Sequence, residues 1–187
     1  MFIQSKMTFF LIFALVFVIS AITETYCDRV VAFNYDGMDL QESFSNYFDI
    51  SKAEIKLKEG SDSILINGEV EQKVDFDDNW TVEGKIFRSD TADGEYTIYL
   101  AIPKLGVCTF MKTVYKVYLF PILKECSNLP DPETCPITKA KYHAKCELDV
   151  VVAQSFAKKG FYKIYADLYN DGHHETGIVL RGSVHDK

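Results

Sequence analysis

The chain has 187 residues, of which 48% are hydrophobic, 14% aromatic and 25% charged. That much apolar material can bury a core, which excludes disorder as the main state and suits one globular domain. Lys and Arg number 20 against 27 Asp and Glu, and a formal charge of -7 argues against a phosphate-backbone partner, so no nucleic acid is expected.

The first six residues carry one positive charge, Lys6, and are followed by the unbroken apolar run FFLIFALVFVI from Phe9 to Ile19 and by the small residues Ser20 and Ala21. This order predicts a secretory signal peptide over 1–21. The run is about 11 residues against the roughly 20 that a membrane-spanning helix needs, and no later stretch is as long and apolar. The expectation is a secreted, extracellular protein with no stable membrane insertion, folded as a single domain over 22–187.

Period-two alternation then dominates, the pattern of strands with two distinct faces. It places strands at 29–36, 52–58, 64–70, 80–88 and 96–102, with a hairpin turn at 59–62 and a polar turn at 89–94. Consecutive strands of this kind predict a meander. From Val107 the period changes, since Phe110, Met111, Val114, Tyr118 and Leu119 recur at three and four residues, which predicts an amphipathic helix. Pro121 should end or kink it near Phe120. Strands resume at 139–150, 161–169 and 176–184, the last two forming a hairpin around Asn170-Asp171-Gly172. The fold class expected is mainly β: an antiparallel sandwich or cup of about eight strands, with the helix laid against one opening.

Five cysteines fit an oxidising compartment, and four of them, Cys108, Cys126, Cys135 and Cys146, fall close together, which predicts two disulfides. Three connectivities are open. Closing the short loop SNLPDPET by Cys126–Cys135, a contribution of about 2 to 3 kcal/mol by chain entropy, leaves Cys108 to Cys146. Cys27 is the odd one out. Asn79-Trp80-Thr81 is an N-glycosylation sequon, preceded by the turn-like 75–78 that would expose Asn79.

The strands at 96–102 and 161–169 carry large residues on both faces, where a sheet with one wet face would alternate. Either the outer face is decorated with aromatics over an ordinary core, or the inner face encloses an apolar ligand cavity. The cavity residues expected are Ile98, Leu100, Phe110, Val114, Tyr142 and Ile164, with the helix as gate and hydroxyls drawn from Tyr99, Tyr142 and Tyr165. Nucleophile elbows, Walker loops and zincin helices are absent from the sequence. Asp75, Asp77 and Asp78 read as a solvated turn without calcium-loop spacing, and His173, His174 and Glu175 as an exposed hairpin. The chain reads as non-enzymatic, with no cofactor and no metal.

The helix GVCTFMKTVYK from Gly106, the stretch ECSNLPDPETCPITKAKY from Glu125 and KKGFYKIYADLY from Lys158 resemble the insect chemosensory CheA and CheB-like secreted proteins, themselves distantly similar to the ganglioside-activator lipid-binding cup. The resemblance implies a β-cup that binds a lipid or pheromone-like molecule outside the cell in gustatory perception, with a membrane receptor as a further partner and with the four clustered cysteines structural. Cys27 has no place in that pattern. The competing expectation is a secreted protein-interaction module or co-receptor without a cavity.

Overall fold

The computed structural model describes residues 31–58, 63–149 and 158–186. The expected signal peptide, Cys27, the turn at 59–62 and Val150 lie outside the described residues. The elements run β1 (Val31–Leu40), α1 (Phe44–Tyr47), β2 (Phe48–Leu57), β3 (Ser63–Gln72), β4 (Trp80–Ser89) and β5 (Thr97–Gly106), then a helix over 107–123 that we call α2, then β6 (Lys141–Asp149), β7 (Gly160–Asn170) and β8 (His173–Asp186).

The eight strands form two antiparallel sheets, one in the order β1-β8-β7-β4-β5 and one in the order β2-β3-β6. The expected mainly β sandwich is present; the simple meander is not. Among the described residues only β2–β3, β4–β5 and β7–β8 pair as sequence neighbours, because β3 takes β6 as its second partner and the chain crosses to the other sheet after Gln72. Buried Gln72 fixes that crossing, donating from Nε2 to the carbonyls of Val74 (2.8 Å) and Ile137 (3.1 Å). A buried amide with both donors occupied holds two segments without the penalty of an orphaned polar group. The β7–β8 turn forms where expected: Asp171 and Gly172 both have positive φ (48° and 84°), as the two-residue turn matched to strand twist requires.

The inner faces meet in one core. Ile55 and Phe48 of β2, Ile64 and Ile66 of β3, and Cys146 and Leu148 of β6 face Val82 and Ile86 of β4, Ile164 and Leu168 of β7, and Ile178 and Leu180 of β8. In β2 the pairing slips between Asp49 and Lys52, and Gly68, opposite Ala53 just past the slip, has φ 121°. A Cβ there would lie 2.0 Å from the Lys52 carbonyl oxygen, so only glycine lets the irregular strand approach.

A two-sheet sandwich has two open flanks. On one, β1 contacts β2 and α1 contacts β8. The other lies between the edge strands β5 and β6, and α2 covers it, with its first turn on β4 and β5 and its last on β6. Of the apolar stripe predicted from periodicity, Val107, Phe110, Met111 and Leu119 are buried while Val114 and Tyr118 are only half-buried; Tyr115 and Leu123, outside the predicted stripe, complete the inward face. Pro121 does not end this helix. The turns Val107–Phe110 and Phe120–Leu123 are α-helical while Met111–Leu119 is π-helical, and the Phe120 N–H bonds to the Tyr115 carbonyl five residues back. Pro121 thereby falls in the first turn of the final α segment, where a missing N–H breaks no ladder bond.

The disulfides are Cys108–Cys135 (Cα–Cα 5.6 Å) and Cys126–Cys146 (5.1 Å), which corrects both pairs expected from the short loop. After α2 the chain doubles back along the outer edge of β6: the Lys145 N–H donates to the Cys126 carbonyl at 2.8 Å and Ser127 bridges Ala144, which sets Cys126 beside Cys146. Ile137 pairs with Phe76, and Asp78, two residues beyond Phe76, bonds the Cys108 N–H, so Cys135 arrives at the start of α2. Tertiary pairing, not loop length, decides the partners. A non-reducing proteolytic digest analysed by mass spectrometry should yield peptides joining Cys108 to Cys135 and Cys126 to Cys146; a Cys126–Cys135 peptide would contradict this fold.

Candidate functional site

Among the described residues β5 pairs with β4 alone and is an edge strand. Pro103, which has no N–H to offer a further strand, lies where the β4–β5 register slips between Val82/Leu105 and Gly84/Ile102, and it blunts that edge. On the inner face Gly84 stands opposite Ile102 and Ile86 opposite Leu100. A Cβ on Gly84 would come within 2.7 Å of Ile102 Cδ1, so the glycine is the floor onto which the Ile102 side chain folds.

Beside this floor is an apolar cavity bounded by residues 82–86 of β4, Leu100 and Ile102 of β5, Phe110 of α2 and residues 164–166 of β7. Its space is about 20 Å³, room for about one water molecule. Half-exposed Leu100 and Ile102 make its outer rim, and buried Val82, Ile86, Phe110 and Ile164 its inner wall.

Of the six cavity residues expected from sequence, Leu100, Phe110 and Ile164 line this space. Ile98, Val114 and Tyr142 do not. A β-bulge between Ile86 and Phe87 of β4 places Ile98 opposite Phe87 and leaves Tyr99 as the extra residue, so alternation along β5 reverses there. Ile98 is consequently 61% exposed, while the Tyr99 ring turns edge-on to buried Tyr162 at 5.9 Å. Val114 packs half-buried at the margin of the core. Tyr142 belongs to β6 in the smaller sheet, opposite Val70, where burial raises its phenol pKa. Sequence reasoning missed Gly84 and Ile102; the glycine on the apolar face of an alternating strand, between Val82 and Ile86, was the available signal.

The hydroxyls of Tyr162 and Tyr169, near the cavity, are committed to the fold. Tyr162 donates to the Lys158 carbonyl and, chiefly through burial, its pKa is pushed up to about 12. Tyr165 meets Phe87 edge-on at 5.3 Å. Tyr169 donates to Glu83 Oε2 at 3.0 Å and lies under the Lys104 ammonium, 3.2 Å from the ring centre. The Lys85 ammonium, 3.0 Å from Glu83, is the main cause that holds this carboxyl below its ordinary pKa, with the Tyr169 hydroxyl adding to it against partial burial.

The acidic turn is structural. Asp75 accepts from the Lys139 N–H at 2.6 Å, Asp77 from the Asn79 N–H at 2.9 Å and Asp78 from the Cys108 N–H at 3.1 Å. The last bond caps α2 from outside its own sequence neighbourhood. His174 contacts Asp167 at 3.0 Å on the surface, and among the described residues no group of three or more His, Cys, Asp or Glu could hold a metal ion. No helix among the described residues is long and apolar enough to cross a membrane.

Residues 82–164 match a family described as a protein of unknown function (DUF1091). The matched stretch runs from the β4 wall of the cavity through β5, α2, both disulfides and β6 to Ile164. No curated protein matches the chain.

Two outcomes follow for the frame of the site. Asp78→Ala should lower stability by about 1 kcal/mol, as loss of a helix cap does, measured by urea unfolding of the oxidised protein. Because the folded pKa of Glu83 is depressed, its stabilisation is present above the unfolded carboxylate pKa near ~4.3 and is lost as pH falls through the lower folded value. Glu83→Gln should therefore be less stable than the parent at pH 7, with the gap closing in acid.

Proposed function

We propose that the protein is a secreted, non-enzymatic binder of a hydrophobic small molecule, a lipid or pheromone-like chain that enters between β5 and α2. The observation that carries this reading is the apolar cavity at the β4–β5 edge, walled by Phe110 of α2 and plugged by Ile102 over a glycine floor. The resting space of about 20 Å³ is too small for a chain of several carbons, so binding requires the Ile102 side chain to swing off Gly84 and β5 to yield. An edge strand held on one side is an element suited to that movement. Each methylene buried contributes about 0.8 kcal/mol, so eight of them supply about 6 kcal/mol toward displacement and affinity without any charged anchor. The resemblance to chemosensory secreted proteins supports a role in gustatory perception.

Ile98 and Val117, 61% and 60% exposed, favour a second reading, a protein-interaction module that recognises a receptor through surface apolar groups.

Native mass spectrometry of the oxidised protein before and after organic extraction separates the two. A hydrophobic adduct that leaves on extraction is the expected result; a bare mass, together with no response of an aminonaphthalene dye at micromolar concentration, would overturn the carrier reading. Gly84→Val should hold Ile102 off the floor while filling the space and so weaken dye binding. Ile102→Ala should remove the plug and strengthen binding, at a stability cost of about 2 kcal/mol.

A further inference from the structure

The geometry points to Asn79 as an N-glycosylated residue, with the hydroxyl of Thr81 kept for recognition by the transferase and not for the fold. The segment before β4 is a tight turn: the Trp80 N–H donates to the Asp77 carbonyl at 3.1 Å, and Asp77 accepts from both the backbone N–H (2.9 Å) and Nδ2 (3.1 Å) of Asn79. Asn79 is exposed, and its carbonyl accepts from the Asp171 N–H at 3.1 Å, which anchors the turn to the β7–β8 hairpin. Trp80 turns inward, edge-on to Tyr47 at 5.4 Å and to Phe76 at 4.9 Å, so the asparagine is left at the surface where the chain leaves the body of the protein.

Thr81 supplies the second, independent observation. It lies in β4 between Gly106 of β5 and Tyr169 of β7, and its Oγ1 is buried with no hydrogen-bond partner among the described residues. A buried hydroxyl without a partner costs stability, and valine, of the same shape and equally suited to a strand, would avoid that cost. The hydroxyl two residues after the asparagine is, however, what the sequon requires.

In the transfer, the Asn79 Nδ2 forms a bond to C1 of an oligosaccharide carried on a lipid diphosphate. The bond from C1 to the diphosphate oxygen breaks, the diphosphate leaves with the electron pair, and the amide nitrogen gives up one proton. The second amide hydrogen remains to donate to Asp77.

The test expresses the full chain with its own N-terminus in secretory insect cells and measures intact mass before and after peptide N-glycosidase. The expected result is a glycan released with conversion of Asn79 to Asp in the parent and in Thr81→Ser, and absent from Asn79→Gln and Thr81→Val. Thr81→Val should also unfold at the same temperature as enzymatically deglycosylated parent or higher. Secreted parent without a releasable glycan, or a glycan persisting in Asn79→Gln, overturns the modification. A Thr81→Val variant that is less stable than deglycosylated parent, or that fails to fold while Asn79→Gln folds, overturns the reading of the hydroxyl as idle in the fold.

Discussion

The first backbone N–H groups of a helix have no partners within it, and the start of α2 is satisfied from elsewhere in the chain. Asp78, on the segment that crosses between the two sheets, accepts from Cys108. The same cysteine is bonded to Cys135, and the far end of the helix is tied to β6 through Cys126–Cys146. Three restraints therefore fix α2 across the flank between β5 and β6, and the rest of the molecule on that side depends on them. Without a covering element, buried Phe110, Met111, Tyr115, Leu119 and Leu123 would lose their burial and the inner faces of the sheets would open to water.

Restraint at the two ends leaves the middle to be held by packing. Met111–Leu119 is π-helical, and Tyr115, fully buried within it, donates to the Pro130 carbonyl at 3.0 Å. Burial is the main cause that raises the pKa of this phenol, so it stays protonated and can keep donating throughout the physiological range. On the opposite side of the cavity, β5 has, among the described residues, a ladder on one edge only, and it carries two register slips and a proline. The cavity thus lies between a helix clamped at its ends and, among the described residues, a strand held on one side, with the Ile102 side chain folded over Gly84 at its rim. The proposed carrier function rests on that pairing of a fixed cover with a yielding edge.

The parts of the fold set by local chemistry were legible in the sequence. The alternation of Ile64 and Ile66, the Asp171-Gly172 turn and a helix starting at Val107 each report a local preference, and each formed as read, although the buried face of the helix takes Tyr115 where the periodicity pointed to Val114 and Tyr118. Features set by tertiary pairing were not. The reversal of alternation at Ile98 depends on a bulge whose position is a property of two strands together, and it moved a residue expected in the cavity to the surface. Cys126 joined Cys146 because the chain after α2 returns along β6. Asp78 read as solvated acid, yet the acceptor it provides serves a helix 30 residues on.

Methyl NMR offers the most direct measurement of the central claim, that an apolar chain occupies the space between β5 and α2. With the isoleucine δ1 methyls labelled in the oxidised protein, a titration with a long-chain saturated alcohol should shift Ile102, Ile86 and Ile164 together and leave Ile55 in the smaller sheet unchanged. Shifts confined to exposed Ile98 and Ile122, or no shifts at all, would contradict the account.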